Sequence, residues 1–264
     1  MMQRRVILAA SILACLIALA PNRGSSAGFG LEVTPGKLEI SVPAGATYNI
    51  PISVRNASYD PVHVQASMVD FGVSTDGSYV FQKVGTKPYS LMKWASIRPR
   101  EFDLKAGEAQ QIQLSVQIPQ GNLSGEYGGI VFFQTRPSRK STRSVAFAVR
   151  VASKIYETIP GTVQINGAVT KMTSAESSKG QIYHVVFKNT GNAHVYIRGQ
   201  LAIQQGSTVV DQINLADGQL VERDGERVLE ASGKKLPPGT YQAIATIDYG
   251  GKTETGGAIA FDVH

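Results

Sequence analysis

The sequence predicts an all-β fold, and three observations carry that prediction. Short runs alternate apolar and polar residues along the whole chain after residue 28. Glycine- and proline-containing turn sequences separate these runs, and no long segment has helical periodicity. Regularly spaced short strands of this kind are typical of β-sandwiches. We therefore expect two tandem immunoglobulin-like sandwich domains, at 28–158 and 159–264, after a cleaved signal peptide at 1–27.

The first residues, "MMQRRVILAASILACLIALAPNRGSSAGFG", predict the signal peptide. Two arginines precede an apolar run from Val6 to Ala20, and Ser25 and Ala27 supply a small-residue cleavage site. The apolar run is too short to be a comfortable membrane span. The mature chain is thus expected to begin near Gly28 and to lie outside the cytoplasm. An alternative is a lipoprotein acylated at Cys15, although the apolar "LIALA" after that cysteine disfavours it.

Composition excludes several classes of protein. The only cysteine lies in the leader, so the mature chain has neither disulfides nor thiolate metal sites. Removing residues 1–27 takes three arginines and no acid from a formal net charge of +6, which leaves +3. That charge does not indicate a nucleic-acid partner. No later run approaches the ~18 apolar residues of a transmembrane span.

The first predicted domain contains about seven strands divided by turns such as "VPAGAT", "STDGS" and "LKAGEA". The predicted runs are 37–42, 48–56, 62–71, 79–81, 110–118, 127–135 and the alternating stretch "SVAFAVRVASKIY" at 144–156. Pro160 and Gly161 mark a hinge to the second half. There the pattern continues as "GTVQINGAV", "QIYHVVFKN", "HVYIRGQLAIQ", "TVVDQINL", "ERVLEAS", "GTYQAIATIDYG" and "GGAIAFDV".

Catalytic and cofactor motifs are not evident. "GGKT" at 250–253 lacks the glycine that a phosphate-binding loop needs, since position 246 is threonine. The four histidines show no metal-ligand spacing, and there is no G-x-S-x-G elbow. The basic loop "TRPSRKSTRS" at 135–144 has no interleaved aromatics for stacking bases. We expect no enzyme activity, no cofactor, no metal and no nucleic-acid partner.

The first half resembles the first domain of PapD-like periplasmic pilus chaperones. The resemblance rests on "VTPGKLEISVPAGATYNIPISVRNAS", then "ASIRPREFDLKAGEAQQIQLSVQIPQGNLSGEYGGIVFF", then the long last strand, and it covers residues 31 to 160. It implies a chaperone for pilus or other surface subunits that lends the last strand of its first domain to an incomplete subunit. Carried over by position, the lent residues are Val145, Phe147, Val149 and Val151.

The resemblance also implies a site that anchors the C-terminal carboxylate of the bound subunit. Lys154 matches the lysine near the end of the lent strand. The arginine of the first strand corresponds to Lys37, which is a departure, because lysine offers a point charge where arginine offers a bidentate fork. The second half resembles only a generic immunoglobulin-type domain.

Two interpretations of the 145–151 strand stay open. Its bulky side chains either pack in the protein's own core or are lent to a subunit. The first interpretation leads to the alternative function, a non-enzymatic cell-envelope binding or structural module. A self-capping dimer is a further alternative for the lent strand.

Overall fold

The computed structural model describes residues 30–136 and 148–264. The predicted signal peptide and the candidate residues Val145 and Phe147 lie outside the described residues. Within the described part, the chain forms seventeen β-strands and one short 3₁₀ helix. No helix in this part is long and apolar enough to cross a membrane.

The first sandwich is formed by ten strands and the 3₁₀ helix Met92–Trp94. The strands are β1 (Leu31–Thr34), β2 (Lys37–Ser41), β3 (Thr47–Asn56), β4 (Val62–Val73), β5 (Tyr79–Gln82), β6 (Ala95–Arg98), β7 (Glu101–Leu104), β8 (Ala109–Gln117), β9 (Glu126–Arg136) and β10 (Arg150–Thr158). One sheet has the order β1-β3-β8-β6. The other has the order β2-β10-β9-β4-β5, with β7 also paired to β4.

The chain changes sheets between β1 and β2. β1 pairs antiparallel with β3 in one sheet, and β2 pairs parallel with β10 in the other. The crossing occurs at Pro35 and Gly36. Pro35 has no backbone N–H to leave unpaired. Its carbonyl accepts a 2.7 Å hydrogen bond from the Ser153 hydroxyl, which ties the crossing to β10.

The core of this sandwich forms where the two sheets face each other. Alternate residues of β3 and β8, such as Ile52 and Leu114, are fully buried there. β9 is buried on both faces, because Val131 and Phe133 enter the core while Ile130 and Phe132 belong to a second apolar cluster on the outer face. Gly129 is required in this strand, since a Cβ at its position would lie 2.3 Å from the Met92 side chain.

The second sandwich is formed by seven strands. They are β11 (Gly167–Ser177), β12 (Gly180–Asn189), β13 (Val195–Gln205), β14 (Thr208–Val221), β15 (Glu226–Ser232), β16 (Gly239–Asp248) and β17 (Thr255–Val263). The sheets have the orders β11-β12-β15 and β14-β13-β16-β17. A separate core lies between them, with Phe187 and Ile247 fully buried.

The all-β, two-sandwich prediction is confirmed, and each predicted run overlaps a strand. Three strands were not predicted: β1, β6 and β7. The last two lie in "ASIRPREFDL", where prolines and charges obscure the apolar alternation. The predicted strand at 161–169 is wrong for most of its length, because β11 begins only at Gly167.

One hydrogen-bonding corner occurs in both domains. Asn56 ends β3 and is fully buried; its Nδ2 donates to the carbonyls of Asp60, Leu104 and Lys105, and its Oδ1 accepts from the Ser58 N–H. Asn189 ends β12 and makes the same set of bonds to Ala193, Val221, Glu222 and Gly191. The corner is thus an internal repeat.

We expect Asn56→Ala and Asn189→Ala each to lower the free energy of unfolding by about 2–4 kcal/mol. Each change leaves several buried backbone groups without partners, at a cost of about 1–3 kcal/mol per unsatisfied group. Urea unfolding followed by circular dichroism measures the change. The control is Asn214→Ala, at an exposed position of β14. A loss below about 0.5 kcal/mol at both corners would contradict this role.

Candidate functional site

β10 is covered on one edge along its whole length and on the other edge along only half. It pairs with β9 from Arg150 to Thr158, whereas its pairing with β2 begins at Lys154. The Lys154 N–H donates to the Gly36 carbonyl, and the Thr158 carbonyl accepts from Val42. Even-numbered residues therefore direct their backbone groups towards β2, and odd-numbered residues towards β9.

The first half of β10 is consequently an edge strand. Among residues 30–136 and 148–264, no strand pairs with the side of β10 on which the backbone groups of Arg150 and Ala152 lie. Val149 follows the same alternation, since its carbonyl accepts from the Thr135 N–H on the β9 side. An edge with unpaired N–H and C=O groups is a template for an added strand.

The structure brings Lys37 and Lys154 together. They are register partners in the parallel β2–β10 pair, where adjacent strands lie about 4.8 Å apart. Their neighbours Leu38 and Ile155 enter the core, so the two lysines share the outer face of the sheet. Both cations therefore lie immediately beside the point at which the edge of β10 becomes uncovered.

The two ammonium groups have different partners. Lys37 Nζ donates to Glu39 Oε1 at 2.7 Å and to the Tyr196 hydroxyl of the second domain at 3.1 Å. Lys154 Nζ donates to the Tyr79 hydroxyl at 3.0 Å. It also lies 5.1–5.8 Å from the centroids of three aromatic rings, Tyr156, Tyr79 and Phe71. In the described part of the chain, no carboxylate forms an ion pair with Lys154.

Beyond the lysines, a polar cluster joins the two domains. The Tyr156 hydroxyl donates to Glu222 Oε1 at 2.5 Å, and the Tyr156 ring stacks on His194 at 4.1 Å. His194 Nδ1 lies 2.7 Å from Glu126 Oε2, and the His194 N–H donates to Glu126 Oε1. Burial raises the pKa of Glu222. These contacts hold the end of β10 against the second domain.

A second set of contacts joins the domains through loops. Arg223 donates to the carbonyls of Ser124 and Glu126, and the Tyr89 hydroxyl donates to the Arg223 carbonyl. The turn between β4 and β5 meets β15, where the Val228 N–H donates to the Thr75 carbonyl. The relative position of the domains thus depends on hydrogen bonds at several separate points.

Of the residues predicted to be lent, the structure describes Val149 and Val151. Val151 packs against that core and is partly buried. Val149 is also partly buried and lies beside Gly30. A Cβ atom added to that glycine would be 3.6 Å from the Val149 Cγ1. Part of each valine therefore stays accessible at the end of the core. Even-numbered residues of β10 lie on the outer face instead.

An aromatic row on that outer face was not predicted from the sequence. Phe71, Tyr79, Phe81 and Phe132 come from β4, β5 and β9 and contact one another, with ring centroids 5.0–6.2 Å apart. The Arg150 guanidinium lies 4.9 Å from the Phe132 centroid. The apolar run "YVF" at 79–81 was the signal in the sequence for this row. The aromatic rings that it contacts lie on other strands, so the run alone does not identify them.

Glu157 is a buried carboxyl on the inner face of β10. The residue is fully buried, and neither carboxylate oxygen has a hydrogen-bond partner among the described residues. Burial raises the pKa of Glu157 to about 7 and raises that of nearby Tyr48. Glu157 therefore holds its proton in the folded state at pH values where an exposed glutamate has lost it. The described residues contain no cluster of three potential metal ligands.

The comparisons with known proteins identify the fold. No protein-family model matches the chain, and no curated protein is similar in sequence. The crystal structure of the class 5 fimbriae chaperone CfaA is similar, with a TM-score of 0.50 and 10% identity over 89% of this chain and 99% of that chain. The Salmonella enterica SafB chaperone with SafA pilin matches at a TM-score of 0.46 and 14% identity, over 89% and 97% of the two chains. The chain therefore has the fold of the PapD-like chaperones.

We expect Glu157→Gln to stabilise the protein at pH 8 but not at pH 5. Because the folded pKa is raised above the unfolded value, wild-type stability falls as pH rises from about 4.5 to about 7. Glutamine removes that loss, which is on the order of 2 kcal/mol. Urea unfolding at the two pH values measures it, with the exposed Glu176→Gln as control. A stability difference between Glu157→Gln and wild type that does not change with pH would refute the assignment.

Proposed function

We propose that the protein is a non-enzymatic periplasmic chaperone that caps pilus or surface-structure subunits by strand addition at β10. The single observation that carries the proposal is the half-covered strand: the Arg150–Ala152 edge is uncovered, and two cations lie where the cover begins. The similar solved structures are those of pilus chaperones, one of them with a pilin. The proposed partner is a β-rich protein subunit.

In the proposed complex, backbone hydrogen bonds to the uncovered edge supply affinity and register. The donated residues would be Val145, Phe147, Val149 and Val151. Partly buried Val149 and Val151 would lie at the junction where the chaperone core continues into that of the subunit. The proposed anchor for the C-terminal carboxylate of the subunit is the Lys37–Lys154 pair, which lies at the end of the uncovered edge.

One observation favours the alternative function, a cell-envelope binding or structural module. Val151 packs against the protein's own core, as that alternative requires. The adjacency of Lys37 and Lys154 favours the chaperone instead, because a module that donates no strand has no need of paired cations at a strand edge. A second copy of the chain is a further candidate to cover the edge, as a self-capped dimer.

Ala152→Pro tests the strand addition. The Ala152 N–H points to the uncovered edge. Proline therefore removes a hydrogen-bond donor that an added strand needs, and it leaves the backbone hydrogen bonds between β10 and β9 in place. We expect wild type and the control Ala152→Ser to co-purify a small β-rich subunit from native periplasmic extract, and Ala152→Pro to lose it while remaining folded by circular dichroism. Equal recovery with all three proteins would refute strand addition here. Recovery of no subunit by wild type would favour the envelope module.

Lys154→Met tests the carboxylate anchor. A charge-assisted hydrogen bond contributes about 1.5–3 kcal/mol, so we expect subunit affinity to fall by roughly tenfold or more. Lys37→Met should have a smaller effect, because Glu39 already neutralises Lys37. Titration of purified subunit by calorimetry measures both. Lys171→Met, at an exposed position of β11, is the charge-matched control. Unchanged affinity in Lys154→Met would exclude it as the anchor.

A further inference from the structure

The outer face of β10 has a gap at Ala152. Ala148, Arg150, Ala152 and Lys154 share that face by strand alternation. Ala152 lies directly opposite Phe132 of β9 and contacts the outer aromatic cluster. Its methyl group is the only side-chain atom it places there. The long side chains on either side, Arg150 and Lys154, therefore flank a much shorter one, and this low position on the outer face is what we call the gap.

Both flanking cations are held across the sheet, away from that edge. The Arg150 guanidinium lies over the Phe132 ring, and its Nε donates to Gln134 at 2.8 Å. Lys154 is held by the Tyr79 hydroxyl and the rings around it. Neither side chain therefore covers Ala152. A strand added at this edge would place one residue directly opposite Ala152, with Cβ atoms about 5 Å apart.

An exposed aromatic surface lies behind the gap. β5 presents Tyr79 at 44% exposure and Phe81 at 48% on the face that contacts the outer aromatic cluster, whereas Val80 lies on the opposite face of the strand. Tyr79 reaches Lys154 and Phe81 packs on Phe132, so β5 leans over the outer face of the sheet towards β10. Contiguous exposed apolar side chains of this kind indicate a contact surface. Ala152 lies between this surface and the uncovered edge, because β10 is the last strand before that edge.

Cationic side chains are frequent in and beside this surface. The chain from 77 to 100, which includes β5, contains five cations and no aspartate or glutamate. Arg150 and Lys154 add two more cations beside the gap, and neither forms an ion pair within the described part of the chain. A complementary partner surface is therefore acidic at its rim and apolar at its centre.

We infer that this gap contacts the outward-facing side chains of the strand that adds to β10 and selects among them. That strand carries a large apolar residue, aromatic or aliphatic, opposite Ala152, and a carboxylate at the neighbouring outward positions opposite Arg150 and Lys154. The inference rests on the proposed function, and it names the side-chain chemistry by which the chaperone selects a strand. It assigns selectivity to the alanine face of β10, in addition to the valine face.

Three fluorescein-labelled nine-residue strand peptides test the inference with the full mature chain. Threonine occupies every inward position, and the three central outward positions are glutamate–phenylalanine–glutamate, glutamate–alanine–glutamate or lysine–phenylalanine–lysine. Fluorescence anisotropy measures affinity. We expect the first peptide to bind about fivefold more tightly than the second, from one cross-strand apolar pair. We expect it to bind about tenfold more tightly than the third, which replaces attraction by repulsion at two positions.

Variants separate the gap from the edge. Ala152→Trp fills the gap, so the phenylalanine peptide should bind no better than the alanine peptide, whereas Ala152→Ser should retain the preference. Ala152→Pro should abolish the binding of all three peptides. Arg150→Glu should reduce or reverse the preference for glutamate over lysine.

The outcomes distinguish failure of the inference from failure of the proposed function. Equal affinity for the three peptides, all lost in Ala152→Pro, overturns the inference and keeps the edge as a strand-addition site. Binding that survives Ala152→Pro overturns the inference and contradicts strand addition as well. No binding of any peptide overturns the inference and leaves the subunit co-purification to decide the function.

Discussion

The crossing of the chain from one sheet to the other at Pro35 and Gly36 determines how much of β10 is covered. Before the crossing, β1 pairs with β3, and after it, β2 pairs with β10 from Lys154 onwards. Because the backbone groups of β1 are paired with β3 in the first sheet, the first half of β10 has no hydrogen-bonded strand on this edge among the residues that the structure describes. The uncovered edge and the adjacent lysine pair are therefore both consequences of where the chain crosses.

The two faces of β10 have different physical roles. The inner face continues the first core through Val151 and Ile155, and it also buries the unpartnered carboxyl of Glu157. The outer face combines small residues, two cations and the aromatic row from three other strands. A partner that extends the sheet at this edge would meet both faces, so its inward and outward side chains would be selected by different chemistry.

The domain junction depends on a few buried polar groups rather than on a shared apolar core. Tyr156, the next outward residue after Lys154, bonds to Glu222 of the second domain and stacks on His194. Glu222 also belongs to the corner in which Asn189 binds its carbonyl. The repeated asparagine corner of the second domain is thus linked to the strand that carries the candidate site in the first.

Sequence alone predicts most of the strands, the two sandwiches and the alternation of β10, because strand periodicity is a local property with a period of two residues. It also indicated Lys37 and Lys154, but only through a family resemblance. β1, β6 and β7 escaped prediction because each has only four residues, and prolines and charges interrupt the apolar pattern of β6 and β7. The tertiary structure was needed to show which edge of β10 is uncovered and that Val151 packs on the core. It was also needed to show that Tyr79 contacts Lys154 and that Phe81 contacts Phe132. Those outcomes depend on strand pairing between distant segments, which local alternation does not encode.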